Sequence, residues 1–393
     1  MDVIPEELVD RILQYIADDP DSLQACALTS PLLHEPSHRL LLHAVALGGS
    51  SESRNLYQTL GDAVDASPHI ARCIRMVAFT VPSTEMVLTQ TAHLHSLMAK
   101  FTHLRHFMIT SDEEDFDWTR IAPGITDELA QFLRCRTLDA LHVSCIVGIP
   151  LDFVALTMSS ALTVSFVETS VNDGEMQLNQ QPVAENLLLS SSQTVADAFC
   201  RADLIPCISR LRRLWVGLEP TLHHIIESSA PMLEEIFMGS TDLISVSHFG
   251  HPGPLPDFPS LRLATIQLCI GEYEQPWLVH AMRALLASPA EVINLQILEA
   301  QLSTLEPALQ ALTAELTTRP DHSVFTPRIH WLLDLGVTED GVLQEFSTAV
   351  GRALPQMYAA GRVTVGRYLG REDGLYWPSG RVVLATRVSS FIE

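Results

Sequence analysis

The sequence predicts an α/β protein in which a small helical bundle of forty-seven residues precedes a long array of short strands and helices. Three observations predict it. Apolar residues recur at helical spacing through the first forty-seven residues, a strand-like apolar triplet then returns repeatedly along the chain, and segments of helical pattern lie between the triplets. With 393 residues, 47% hydrophobic and 18% charged, the chain exceeds one ordinary domain and has the apolar material for an extended core.

The first helix starts at Pro5, Glu6 and Glu7, because proline loses no hydrogen bond in a first turn and acids meet the positive end of the helix dipole. Val9, Ile12, Leu13 and Ile16 follow at helical spacing, with Leu8 widening the stripe, until Asp18, Asp19 and Pro20 end it. Asp19 and Pro20 also read as the N-cap and first position of a second helix, on which Leu23, Cys26 and Ala27 share a face before Ser30 and Pro31 stop it. A third short helix is expected from about Pro36 through Leu40, Leu41 and Val45, closed by Gly48 and Gly49. Three helices this short bury little apolar surface, and Ile4, Leu8 and Leu13 are more than one stripe requires. Two readings follow: part of that surface meets a partner, or the bundle packs onto the rest of the chain.

These residues resemble the F-box. Ile4-Pro5-Glu6-Glu7-Leu8-Val9-Asp10-Arg11-Ile12-Leu13 is similar to its opening, Ser22 to Ser30 to its second helix and Pro36 to Leu42 to its third; order and spacing are closest to the F-box proteins of basidiomycete fungi. Leu33 stands where the family commonly has tryptophan, and Leu42 where it often has phenylalanine. The resemblance covers about 45 residues. It implies a bundle that binds the Skp-type adaptor bridging to a cullin, with contacts at Ile4, Pro5, Leu8, Ile12 and Leu13 and, from the second helix, Leu23 and Leu28.

Beyond a connecting segment at 48–68, the triplet (apolar, two positions, apolar, one position, apolar) occurs at Ile74-Val77-Phe79, Leu104-Phe107-Ile109, Leu138-Leu141-Val143, Ala161-Val164-Phe166, Leu211-Leu214-Val216, Leu233-Ile236-Met238, Leu261-Ala264-Ile266 and Val292-Leu295-Ile297. Each is expected to be a short strand. Helical candidates between them are Asp127 to Leu133, Thr221 to Glu227, Trp277 to Leu286 and Leu305 to Leu316. A strand that repeats with a helix cannot bury its own apolar face, so successive units must stack. The pattern resembles leucine-rich repeats of a degenerate kind, without the asparagine of the regular repeat, and implies an irregular α/β solenoid over 69–335. The gap between 161 and 211 contains a polar stretch with the turn signal Asn172-Asp173-Gly174 and reads as an insertion at about 170–205 or as a worn repeat. Residues 336–393 are expected to cap the array through a helix at Glu345 to Ala359 and strands at Arg362 to Arg367 and Arg381 to Arg387.

Net charge excludes several partners. At −23, with Lys100 the only lysine, the chain repels nucleic acid and anionic membranes. The acidic run Asp112, Glu113, Glu114, Asp115 and Asp117 reads as a solvated loop. Phe153 to Val167, the longest charge-free apolar stretch, would span roughly 22 Å as a helix, short of the ~30 Å of a bilayer, and reads as a buried helix and strand. The acidic start is unlike a signal peptide, and seven cysteines without a CxxC pair fit reduced thiols in the cytosol or nucleus. Nucleotide-binding, serine-hydrolase and zincin motifs are missing, so no cofactor and no catalytic residue is assigned. His93, His95, His103 and His106 are grouped, but no cysteine or acid joins them at ligand spacing, and adjacent His223 and His224 face apart on a helix. The F-box resemblance implies a non-catalytic adaptor presenting an unknown target protein to a ubiquitin ligase. The alternative is an interaction scaffold whose N-terminal helices only cap the solenoid.

Overall fold

The structure is a computed structural model that describes residues 5–17, 19–48, 56–81, 97–121, 123–172, 174, 181–217, 222–239, 255–269, 274–298, 302–317, 327–334 and 340–367. It is an α/β protein whose strands pair in parallel, and its described residues divide into two units, one ending at Leu162 and one beginning at Thr163.

The first unit opens with helices α1 (Glu6–Gln14), α2 (Pro20–Thr29) and α3 (Pro31–Leu41). Asp19 caps α2 as expected, accepting from the Ser22 amide at 3.2 Å and the Ser22 hydroxyl at 2.6 Å. The Ser30-Pro31 stop is also a start: the Ser30 hydroxyl accepts from the Leu32 amide at 3.3 Å, Pro31 takes the first helical position, and α3 begins five residues before Pro36. Val45, expected at the end of that helix, lies instead in strand β1 (Ala44–Gly48). Helices α4 (Leu56–Ala66) and α5 (His69–Cys73) follow, so the connecting segment is itself partly helical.

Strand β1 pairs with β2 (Met76–Thr80), β2 with β3 (His106–Thr110) and β3 with β4 (Leu138–Ser144), all in parallel. Their register aligns Val45, Val77, Phe107 and Leu141 in one row and Leu47, Phe79, Ile109 and Val143 in the next. All eight are buried, because parallel strands are covered by their crossover helices. Helices α6 (Pro123–Arg134) and α7 (Leu151–Ser160) belong to this unit, and α7 runs into β5 (Ala161–Val167), which resolves the apolar stretch into a buried helix and a strand. Among the described residues, no helix is long and apolar enough to cross a membrane.

In the second unit β5 pairs with β6 (Asn186–Ser190), and parallel pairing continues through β7 (Arg213–Val216), β8 (Glu235–Gly239), β9 (Leu263–Cys269), β10 (Val292–Leu298), β11 (Arg328–Leu333) and β12 (Val363–Arg367). One row reads Val164, Leu187, Leu214, Ile236, Ala264, Ile293, Ile329 and Val363. This register corrects the last predicted triplet: Ile293 and Leu295, not Leu295 and Ile297, align with the two inner positions of the preceding unit. Strand β6 falls inside the stretch read as an insertion. Helices α8 (Gln193–Phe199) and α9 (Ile205–Ile208) complete a strand-and-helix unit there, at 184–208. Cys145, Glu168 and Ser191, each directly after β4, β5 or β6, share a left-handed conformation that side-chain-bearing residues seldom adopt. Helices α10 (His223–Ser229), α11 (Glu274–Ala287), α12 (Leu302–Thr317), α13 (Asp340–Ala353) and α14 (Pro355–Ala359) lie between the later strands. The expected strand at Arg381 to Arg387 lies outside the described residues.

A ladder of alternating charge marks the entry to these strands. The amides of Arg212, Glu234, Arg262, Glu291 and Arg328 donate in turn to the carbonyls of Glu185, Arg212, Glu234, Arg262 and Glu291 at 2.7–2.9 Å. Their side chains pair across the same steps, Arg212 with Glu234 at 2.8 Å and Arg262 with Glu291 at 3.1 Å. Opposite charges one strand apart favour this register over a slipped one, although each exposed pair contributes little stability.

Candidate partner-binding face

The N-terminal bundle closes its own small core. Val9 and Leu13 of α1 meet Leu23 of α2, and Ile16, Cys26, Leu33, Leu40 and Leu41 pack against them. Arg39 of α3 reaches Asp10 of α1 at 3.2 Å, a half-exposed pair that orients the first helix. Leu33, where the F-box commonly has tryptophan, joins this core, and Leu42 is the half-buried C-cap of α3.

Closing that core uses one side of α1 and leaves the other in water. Leu8, Ile12 and Tyr15 are 50%, 58% and 83% exposed. Their spacing of four and then three residues places them on a single helical face. Leu28 near the end of α2 is 81% exposed, and Leu32 at the start of α3 is 46% exposed. Exposed single leucines are ordinary, but three large apolar side chains aligned on one nine-residue helix and its cap are not.

The expected contact residues therefore separate into two groups. Pro5, Leu8, Ile12 and Leu28 are exposed, with the Pro5 carbonyl accepting from the Leu8 and Val9 amides at 3.0 and 3.2 Å. Leu13 and Leu23 are each only 1% exposed, so they offer a partner no surface and instead hold α1 against α2; their assignment as contacts is corrected. Ile4 lies outside the described residues. Sequence reasoning missed Tyr15 and Leu32, although Tyr15 stands one turn beyond Ile12.

Elsewhere the chemistry is subdued. Burial pushes the Cys207 thiol up to about 11, with Asp203 adding to it, and burial likewise raises Cys73 and Cys200. These thiols stay protonated and are poor nucleophiles. A groove of about 210 Å³ is lined by Met98, Leu129, Phe132, Cys135 and Arg136, but the Arg136 guanidinium is engaged by the carbonyls of Phe101 and Ala99. Among the described residues, no group of three His, Cys, Asp or Glu side chains is arranged to hold a metal ion. His93 and His95 lie outside those residues, His103 is exposed, and the rings of His223 and His224 are 6.1 Å apart. No protein-family model matches the sequence, and no curated protein matches it.

Proposed function

We propose that this chain is the substrate-recognition adaptor of a Skp-cullin-F-box ubiquitin ligase, with the N-terminal bundle acting as an F-box. The observation that carries the reading is the exposed row Leu8, Ile12 and Tyr15 on a bundle whose core is already complete. Full burial of one such side chain contributes about 1.5–3 kcal/mol, so covering the row gives a partner a substantial incentive to dock. Pro5, Leu8, Ile12 and Leu28 would touch the Skp-type adaptor together with Tyr15 and Leu32, while Leu13 and Leu23 keep the helices in place.

In this reading the parallel strands form a degenerate leucine-rich-like solenoid that holds a target protein. The chain itself makes and breaks no bonds. It accelerates ubiquitin transfer by raising the effective concentration of a target lysine near the charged conjugating enzyme.

One observation favours the scaffold reading: α3 packs on α5, and its Pro36 and Ser37 are buried, as a helix that caps the following elements would be. The two roles use different surfaces. Capping engages α3, whereas the exposed row belongs to α1, which the scaffold reading leaves unexplained.

Co-purification with a Skp-type adaptor tests the proposal. The intact chain is expected to capture the adaptor, and Leu8→Asp combined with Ile12→Asp to reduce capture at least tenfold, since a charge buried in an apolar interface has no counter-charge. Met232→Asp, at a 51% exposed residue of the second unit, serves as the control and should bind like the intact chain. Failure of the intact chain to capture the adaptor overturns the adaptor role; equal binding by the double variant overturns the assigned face.

A further inference from the structure

Three histidines gather where the bundle meets the first strands. His34 and His38 sit one turn apart on α3 with ring centroids 4.1 Å apart, and the His38 ring lies parallel to that of His69, the first residue of α5, at 5.9 Å. The Nδ1 of His34 is 3.2 Å from the Ala27 carbonyl of α2. Nδ1 of His38 and Nε2 of His69 are buried with no hydrogen-bond partner among the described residues. Two stacked imidazoles with inward nitrogens left unpaired tolerate each other only while neutral, because a proton on either ring adds a charge to a contact that supplies no acceptor for it.

We propose that the His38–His69 contact is a proton-sensitive latch: with both rings neutral it holds α3 against α5, and protonation releases it while the strands stay folded. The inference does not depend on what the α1 face binds. It rests on the surrounding charges as well as on the rings. On α3 itself stand Glu35 and Arg39, and Arg39 is tied to Asp10 of α1. Arg72 of α5 and Arg75 beyond it, with Glu35 and Arg39, act on neighbouring Cys73. From α4, which packs on α5, Asp65 is paired with Lys100 at 2.6 Å. From α2 the contact is the neutral Ala27 carbonyl. On His38 itself the acting charges are those of His34 and His69, and both oppose its protonation, so a protonated latch finds little to stabilise it.

The sign of the effect follows. Burial, then His34, then His69 hold the His38 imidazole below the usual histidine value. The open form takes up a proton first as pH falls below about 6.5, so the closed form is favoured above that value and is progressively lost below it. Through His38 the population of the open form can rise by up to about tenfold per pH unit.

Amide hydrogen exchange on the full chain at pH 7.5 and pH 5.5, corrected for the intrinsic pH dependence of exchange, tests this. Opening of 31–41 and 69–73 is expected to rise about three- to tenfold at pH 5.5, while the β9 amides of Leu263–Cys269 show no comparable change. The double variant His38→Phe with His69→Phe keeps two stacked rings but cannot take the proton, and should lose the rise; His38→Gln serves the same comparison if the double variant does not fold. No rise in the intact chain, an equal rise in β9, or a rise that persists in the variant overturns the latch.

Discussion

In the bundle, large apolar side chains stand in water beside a core of three fully buried residues, whereas in the strands of the second unit the apolar side chains of the inward rows are almost completely covered. The strands dispose of their polar ends differently too. Their entry positions carry paired charges of alternating sign, while the outward face of α1 carries Leu8, Ile12 and Tyr15. The difference teaches where each region's apolar residues act. Those of the strands are consumed by folding, whereas among the described residues the surplus in the bundle stays uncovered.

The largest effect should come from the strands. Trp331 of β11 is fully buried, with its ring edge-on to Phe346 of α13 at 5.1 Å. Trp331→Ala should cost about 3–5 kcal/mol in urea unfolding followed by circular dichroism, from lost burial and the cavity left behind. Trp331→Phe should cost much less, since the indole nitrogen is buried without a hydrogen-bond partner among the described residues and its removal leaves none of them unsatisfied. A small loss for Trp331→Ala would mean that this end of the array contributes little to cooperative unfolding, and the contrast with the bundle would fail there.

A middle-sized effect is expected where two strands approach most closely. Gly239 ends β8 opposite Gln267 of β9, and a methyl group there would lie 2.7 Å from the Phe237 ring and 2.8 Å from Cβ of Gln267. The ring could turn aside, but Cβ of Gln267 is fixed to the neighbouring backbone. Gly239→Ala should therefore destabilise by about 1–3 kcal/mol in the same assay, as overpacking does, despite removing a flexible glycine. A gain in stability would show that the strands are less tightly registered than their hydrogen bonds indicate.

Much of the strand array was legible because burial on one face imposes a fixed spacing. The predicted triplets from Ile74 to Leu261 begin or immediately precede observed strands, and Arg362 to Arg367 was also anticipated. Three strands escaped for separate reasons. Val45 continues the helical spacing of Leu41, so β1 was absorbed into the preceding helix. Ala184-Leu187-Leu189 obeys the triplet rule but follows a long polar stretch that masked it. At β11 the alternation of Ile329, Trp331 and Leu333 is clear, but Thr326 stands where the triplet needs an apolar residue. In the bundle, helical spacing located the helices but not their inward sides. Leu8, Val9, Ile12, Leu13 and Ile16 form one continuous arc of about 140° on α1, and only packing against Leu23 and Leu40 selects Val9 and Leu13 for the core.

The smallest effect is the one that tests the contrast most directly. Ile12 is 58% exposed and Leu13, its neighbour in sequence, only 1%. Serine has nearly the same intrinsic helix propensity as isoleucine, so Ile12→Ser changes apolar area with little change in the helix itself. If the outward face of α1 makes no contribution to folding, Ile12→Ser shifts the unfolding free energy by no more than about 0.5 kcal/mol, as surface substitutions do. Leu13→Ser, by contrast, removes a buried side chain and places a hydroxyl in an apolar core, costing several kcal/mol. Both variants should be measured by hydrogen exchange across α1 and α2, because a loss confined to the bundle need not appear in the unfolding of the whole chain. A loss above about 1 kcal/mol for Ile12→Ser would place that residue in the core of the folded chain and remove the argument that α1 keeps an apolar face for a partner.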